Sequence, residues 1–422
     1  MSIVVAKLPP EVIRPSSEPV TTSAGGKIIL PPLDRPLANA PVVVLQVFEH
    51  PIHEPAATIR RALSQALVHY YPIAGRLAMD DDNFHIDCTG EGVTFVAASA
   101  NRTVMELMRD IDDRAPDAAT PVLRELLVDD PDMGFGHADP FVLMQVTTFS
   151  CGGFVVGVTW NHGVADGFGI AQFLQAVGEL ARGLPTPLIV PVRSDKVTQA
   201  ISPSFVLSAK QFMFGVAVPS KLALHNITIS SKLISSIRGS SCTVFEAVAA
   251  ALWRCRTRVV MSDPEAPTVL AITVNSRKYM GVKDGYYGNC TSVHMAMAKS
   301  GEVAKGDIMD VVRAIRRAKE QIPEQLKKGD MLPQAAIGDL SKHPVARYET
   351  ALFVTCWRNI GLEDVDFGSG KTTRVMTMYE PSQVRPMCVV CLPCKEEEGA
   401  KVFSGCVTTD HSDAFLQEIG RL

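Results

Sequence analysis

The stretch Asn161-His-Gly-Val-Ala-Asp-Gly-Phe-Gly169, "NHGVADGFG", lies between a run with strand composition and one with helical spacing. Upstream, "FVLMQVTTF" (141–149) and "GFVVGVTWNH" (153–162) are β-rich and flank Ser150-Cys-Gly-Gly153, which predicts an antiparallel hairpin. Downstream, "GIAQFLQAVGELARGL" (169–184) predicts a helix. A helix already running at His162 would put His162 and Asp166 on one face. Gly163, Gly167 and Gly169 argue against that, since each costs about 1 kcal/mol there relative to alanine. The segment is therefore expected to be a tight turn that closes a strand and aims His162 outward from a rigid edge. A histidine with its ordinary pKa of about 6.5 is mostly neutral at pH 7 and can take a proton from a hydroxyl or amine attacking a carbonyl. The blander alternative has His162 bonding a backbone carbonyl and Asp166 capping the next helix.

The rest of the chain sets the scale. With 422 residues, 46% of them hydrophobic and 20% charged, it exceeds one ordinary domain, and two are expected. The 41 Lys+Arg against 45 Asp+Glu give a formal charge of -4, which is no footprint for nucleic acid or an anionic membrane. Small-molecule chemistry is the better expectation. The opening "MSIVVAKLPPEVIRPSSEPV" lacks the basic and apolar regions of a secretory signal. There is also no uncharged apolar run of about 18 residues to span a membrane. Ten scattered cysteines fit reduced, buried thiols, so the cytoplasm is the expected address. The terminal Gly420-Arg421-Leu422 is a weak match to a peroxisomal signal.

Strands are predicted in "GKIILPPLD" (26–34), "PVVVLQVFEH" (41–50), "TVLAITVN" (268–275), "ALFVTCW" (351–357) and "KVFSGCVT" (401–408). Helices are predicted over 54–71, 242–259 and 307–322. The second of these opens with Thr243 and Glu246 at capping-box spacing, each able to satisfy a free amide at the helix start. Between Pro185 and Lys221 five prolines break any long helix. The expected division is a first domain over 1–184, a linker over 185–221 and a second domain over 222–422, both domains mixing sheet and helix.

"NHGVADG" resembles the HxxxD signature of the plant BAHD acyltransferases, and the likeness runs along nearly the whole chain. "YYPIAGRL" (70–77), "CTGEGVTF" (88–95), "QVTTFSCGGFVVGVTWNH" (145–162), "TVFEAVAAALWRCR" (243–256), "VNSRKYM...GYYGN" (274–289) and "VTCWRNIGLEDVDFGSG" (354–370) follow the family's segments in order. The resemblance implies an α/β fold of two similar-sized chloramphenicol-acetyltransferase-like domains with mixed sheets and an active-site tunnel at their interface. A segment near 366–395 is expected to cross back to the first domain. It further implies transfer of an acyl group from acyl-CoA, a co-substrate and not a resident cofactor, to the hydroxyl of a small, specialised-metabolite alcohol. Benzoyl, hydroxycinnamoyl and acetyl are the donors in view, in a monomeric protein. An amine acceptor and a catalytically silent accessory protein are the alternatives.

By that resemblance His162 is the general base, and no covalent acyl-enzyme forms. Asp166 points away from it to pair with Arg277. Thr355 and Trp357 match a strand lining the tunnel, and Thr243 could meet a coenzyme A oxygen through local amides, though its capping role suffices to explain it. Arg313, Arg316, Arg317 and Lys319 could reach its phosphates, but an exposed helix face carries such charges anyway. The family's DFGWG segment is here Asp366-Phe-Gly-Ser-Gly370, so an indole is missing and Ser369 stands in its place. Either Ser369, Thr355 or a backbone amide donates to an oxyanion, or the role is absent. The plainer reading is a loop shaped by Asp366, Gly368 and Gly370.

Three other motifs point to no chemistry. "FGSGKTT" fails as a phosphate loop because Val365 stands where glycine is required. Cys388, Cys391 and Cys394 have C-x-x-C spacing, but 388 and 391 fall on opposite faces of a strand and no fourth ligand is near. His162 has no partner histidine at zinc-binding spacing, so no metal is expected.

Overall fold

A computed structural model of the chain describes residues 3–18, 26–80, 83–113, 116–129, 135–193, 216, 218, 220–238, 242–328, 347–378, 385–394 and 398–422. Two compact units emerge: Met1–Thr198 with Gly281–Cys290 and Arg358–Glu380, and Gln199–Met280 with Thr291–Trp357 and Pro381–Leu422.

In the first unit, the described residues form a seven-stranded sheet. It runs Val5–Lys7, Val93–Ala100, Val142–Phe149, Phe154–Asn161, Pro41–Phe48, Arg374–Met376, and Glu11–Ile13 also pairs with Val93–Ala100. Only Val93–Ala100 and Val142–Phe149 run parallel. The predicted hairpin is present, its turn closed by Gly152 at φ 83°. All eight residues of Phe154–Asn161 are buried, the mark of a central strand covered on both faces. Helix Pro55–His69 covers the adjoining strands Val142–Phe149 and Val93–Ala100 and packs on helix Gly167–Ala181. A small sheet of Lys27–Ile29, Asn83–Asp87 and Arg76–Asp80 completes the described strands of this unit.

The second unit holds a six-stranded sheet in the order Leu222–Ser230, Gly399–Thr408, Met387–Cys391, Ala351–Cys356, Pro267–Asn275, Thr291–Lys299. Two of its pairings are parallel and the others antiparallel. Its core forms around helix Val244–Val260, whose predicted capping box is present: the Glu246 amide donates to Thr243 Oγ1 at 3.2 Å, and the Thr243 amide to Glu246 Oε2 at 2.9 Å. Arg256, on the same helix, is buried. Its guanidinium donates to the carbonyls of Cys406 (2.7 Å), Glu349 (3.1 Å) and Tyr348.

Two boundaries differ from the sequence reading. The chain after Pro185 does not leave the first unit at once: the Val192 amide donates to Gly285 O at 2.9 Å and Arg193 is buried there. Most of the expected linker lies outside the described residues. The return to the first unit spans Arg358–Glu380, not 366–395, because Arg374–Met376 adds an edge strand to Pro41–Phe48 while Met387–Cys391 belongs to the second sheet. A second return, Gly281–Cys290, was not foreseen. Cys388 and Cys391 are buried strand residues, and among the described residues no group of three or more His, Cys, Asp or Glu side chains is placed to hold a metal. No described helix is long and apolar enough to cross a membrane.

Candidate active site

His162 stands immediately past the central strand Phe154–Asn161. Its amide donates to Ala40 O at 2.8 Å, so the strand pairing with Pro41–Phe48 extends one step into the turn. The turn itself is closed by the Val164 amide on Asn161 O (3.0 Å) and the Gly163 amide on Asn161 Oδ1 (2.8 Å). Trp160, fully buried, braces it from below by donating its indole N–H to Ala165 O at 3.0 Å. His162 is half-buried, with its ring centroid 6.5 Å from that of Trp160. A tight turn closing a strand is thus what the glycines encode. A β-carbon on Gly163 would lie 2.5 Å from Ala38 Cα, and one on Gly169 would lie 1.8 Å from Tyr287 O.

Asp166 ends the turn and starts the next helix. Its Oδ1 accepts the Gly169 amide at 2.9 Å, so it is the N-cap of Gly167–Ala181, which begins two residues before the predicted start. Its Oδ2 accepts the Cys290 amide at 3.0 Å. Both carboxylate oxygens therefore face backbone N–H groups, and the residue is 1% exposed.

The segment Gly281–Cys290 straps the turn. The Asn289 side-chain amide donates to His162 O at 2.7 Å and to Asp34 Oδ1 at 2.6 Å, and the Asn289 backbone amide donates to the same Asp34 oxygen at 2.9 Å. Arg193 reaches Asp34 Oδ2 at 2.8 Å, with the carbonyl of Gly163 3.4 Å from the same nitrogen. Its guanidinium also lies over the Tyr286 and Tyr287 rings, 5.9 and 5.7 Å from their centroids. Asp34 is fully buried and the Arg193 side chain is 2% exposed. Burial pushes the Asp34 carboxyl above its ordinary range, against the pull of Arg193 and Asn289. Burial alone would lower the Arg193 guanidinium, but Asp34 and the two tyrosines more than reverse that, so Arg193 stays charged.

Sequence reasoning missed Asp34 and Arg193. Asn289 lay within a matched segment but carried no assigned role.

The Asp366–Gly370 loop lies elsewhere. Asp366 Oδ1 accepts the amides of Gly368 (2.7 Å) and Gly370 (3.0 Å), both glycines at positive φ, and Arg182 donates to the Asp366 carbonyl. Phe367 packs on Phe48 and Phe154, with centroids 5.2 and 6.3 Å away. Phe154 opens the strand that His162 follows. Eight residues of strand, roughly 26 Å, separate the two ends, and Arg182 likewise follows the far end of the helix that Asp166 caps. Ser369 is therefore not brought to His162, which gives no support to its donating to an oxyanion there. The segment is a packed loop, as Asp366, Gly368 and Gly370 suggested.

Thr243, Arg277, Thr355 and Trp357 belong to the second unit. Thr243 is exposed and caps its helix. The Arg277 amide and Nη1 approach Asn275 Oδ1 at 3.1 and 3.3 Å. Thr355 accepts from Thr273 at 2.7 Å, and the Trp357 amide donates to Val390 O at 2.8 Å. Of the basic helix residues, Lys319 and Arg316 turn to Glu246 at 2.6 and 3.4 Å, and Arg313 to Asp310.

The two mixed-sheet units have the two-domain, chloramphenicol-acetyltransferase-like fold. The fold matches solved vinorine synthase with a TM-score of 0.72 at 19% identity, over 99% of this chain and 98% of that one. It also matches TRI101 of F. graminearum, complexed with coenzyme A and deoxynivalenol, with a TM-score of 0.67 at 16% identity, over 92% and 96%. The sequence profile described as the Transferase family matches residues 4–415, and the chain belongs to this family, the BAHD acyl-CoA-dependent acyltransferases. It is 57% identical to acyl transferase 15 of Oryza sativa subsp. japonica, across 100% of this chain and 99% of that protein. Identity is 31% to the myricetin 3-O-glucosyl 1,2-rhamnoside 6'-O-caffeoyltransferase AT2 of Crocosmia x crocosmiiflora, covering 99% of both. It is 32% to benzyl alcohol O-benzoyltransferase of Petunia hybrida, covering 75% and 71%.

Proposed function

We propose that the chain moves a benzoyl, hydroxycinnamoyl or acetyl group from acyl-CoA to the hydroxyl of a small specialised-metabolite alcohol, with His162 as general base. The observation that carries this is the mounting of His162: a half-buried imidazole at the end of a wholly buried strand, its amide and carbonyl both held by hydrogen bonds. In the reaction, an imidazole nitrogen takes the hydroxyl proton as the oxygen attacks the thioester carbonyl. The tetrahedral adduct then collapses, the C–S bond breaks, and the thiolate takes the proton back from the imidazolium. No cysteine is acylated on this route. The O-acyl products named for the caffeoyl- and benzoyltransferase relatives support a hydroxyl acceptor.

Incubating purified protein with benzoyl-, coumaroyl-, acetyl- and malonyl-CoA against a pool of alcohols and amines, followed by mass spectrometry, tests this reading. An ester product is expected together with free thiol. An amide product would move the chain to the amine-acylating branch, and no thiol from any donor would favour an accessory protein without turnover.

Asp166 is assigned an architectural role in the same reading. Its capping of the helix and its bond to Cys290 support this, and the proposed pairing with Arg277 would add a charge partner. Asp166→Ala should lower folded yield along with turnover, the lost cap alone costing about 0.5–2 kcal/mol. A variant of unchanged melting temperature and no turnover would return Asp166 to the chemistry.

A further inference from the structure

We propose that Asn289, anchored by the buried Asp34–Arg193 pair, is a positioning residue that sets the direction of the His162 imidazole; this rests on His162 being the base. The His162 amide is held by Ala40 O at 2.8 Å, and its carbonyl by Asn289 Nδ2 at 2.7 Å. Those two groups belong to the peptide planes on either side of the His162 α-carbon. Fixing both planes fixes φ and ψ, and with them the direction of the Cα–Cβ bond. Only the two side-chain torsions are then left to the imidazole.

Asn289 can hold that carbonyl only because it is itself held. One of its two amide hydrogens goes to His162 O, the other to Asp34 Oδ1 at 2.6 Å, and its backbone N–H meets the same oxygen at 2.9 Å. Both acceptors face the same side-chain nitrogen, so an amide fits this place and a carboxylate does not. Asp34 is fixed in turn by Arg193 at 2.8 Å, and Arg193 stands 3.4 Å from the carbonyl of Gly163, the next residue of the turn. The adjoining Cys290 amide holds Asp166 Oδ2 at 3.0 Å. The two ends of the histidine-to-aspartate turn are thus tied to two consecutive residues of one returning segment.

Displacing a reacting group by about 1 Å can cost 10²-fold in rate. Asn289→Ala removes the link to His162 O and leaves Asp34 its backbone bond and its arginine. Assayed with the fastest donor and acceptor pair, it should lower kcat by about 10–100-fold. KM for both substrates is expected to stay within about twofold, because no substrate contact is lost, while the melting temperature falls moderately as two buried hydrogen bonds go. Wild-type kcat in Asn289→Ala would overturn the clamp. So would a lower melting temperature with full kcat in the folded fraction, which is what a merely structural role produces. His162→Ala, run alongside, separates the two layers: if it retains turnover the base reading itself fails, whereas its loss with an indifferent Asn289→Ala sinks the clamp alone. Should Asn289→Ala not fold, Arg193→Lys carries the test. It keeps the charge on Asp34, gives up the guanidinium's reach to Gly163 O, and is expected to lower kcat with KM unchanged; unchanged kcat there overturns the clamp.

Discussion

His162→Ala is expected to cut thiol release from acyl-CoA by about 10²–10⁴-fold, the usual worth of a positioned general base. Stability should hardly change. The side chain is half-buried, and the turn is built from backbone and neighbouring groups: Asn161 holds Gly163 and Val164, Trp160 holds Ala165, and Asn289 holds the His162 carbonyl. Substituting alanine leaves each of those bonds in place. On the proposed reading the acceptor hydroxyl must still lose its proton to attack the thioester, and the variant lacks the imidazole proposed to take it. The residual rate would measure what binding both substrates together achieves by itself. Turnover within about threefold of wild type would remove His162 from the chemistry, against the expectation for a base. Loss of turnover with collapse of the melting transition would make it structural instead.

Much of this site was legible in the sequence because the signal is local. The hairpin, the glycine-bearing turn and the following helix occupy consecutive residues, and each has a period or a breaker that names it. The same holds for the capping box at Thr243 and Glu246. The helix start came out two residues early because Asp166, read as capping only in the blander alternative, accepts from Gly169 and carries the helix back to Gly167. That alternative and the functional one are compatible, since one aspartate caps the helix while the histidine before it stays on the turn.

What was not legible is what depends on long-range pairing. Asp34 and Arg193 are 159 residues apart, and Asp34 and Asn289 are 255 apart. Nothing at any of the three positions departs from an ordinary loop residue. Arg193 fell inside a proline-rich stretch whose composition is that of a linker, yet the stretch stays docked until that arginine is buried. Proline excludes a helix there but does not exclude burial. The Asp366–Gly370 segment was left with two readings, an oxyanion donor or a loop shaped by its glycines, and Phe367, seated against Phe48 and Phe154 at the far end of the central strand, supports the second.

Arg193→Met should destabilise the protein by about 3–5 kcal/mol, because it leaves the Asp34 carboxylate buried with no cation. Methionine roughly matches the aliphatic volume of arginine and keeps contact with the Tyr286 and Tyr287 rings, so packing loss is the smaller part. For a unit of this size the melting transition should fall by roughly 6–20 °C. Two further measurements separate charge from packing. Asp34→Asn in the same chain removes the stranded charge, and the double variant should recover part of the loss; equal instability in the single and double variants would assign the cost to packing. The second measurement is pH. Burial already pushes the Asp34 carboxyl up, and removing Arg193, one of the groups that pulls it down, pushes it further. A carboxyl whose folded-state pKa lies above its unfolded value destabilises the fold as pH rises through that interval, and the penalty vanishes below about pH 4, where it is protonated in both states. The gap between Arg193→Met and wild type should therefore be widest near neutrality and narrow on acidification. A gap independent of pH would show that Asp34 carries no charge for Arg193 to balance, and the anchor would then rest on hydrogen bonds alone.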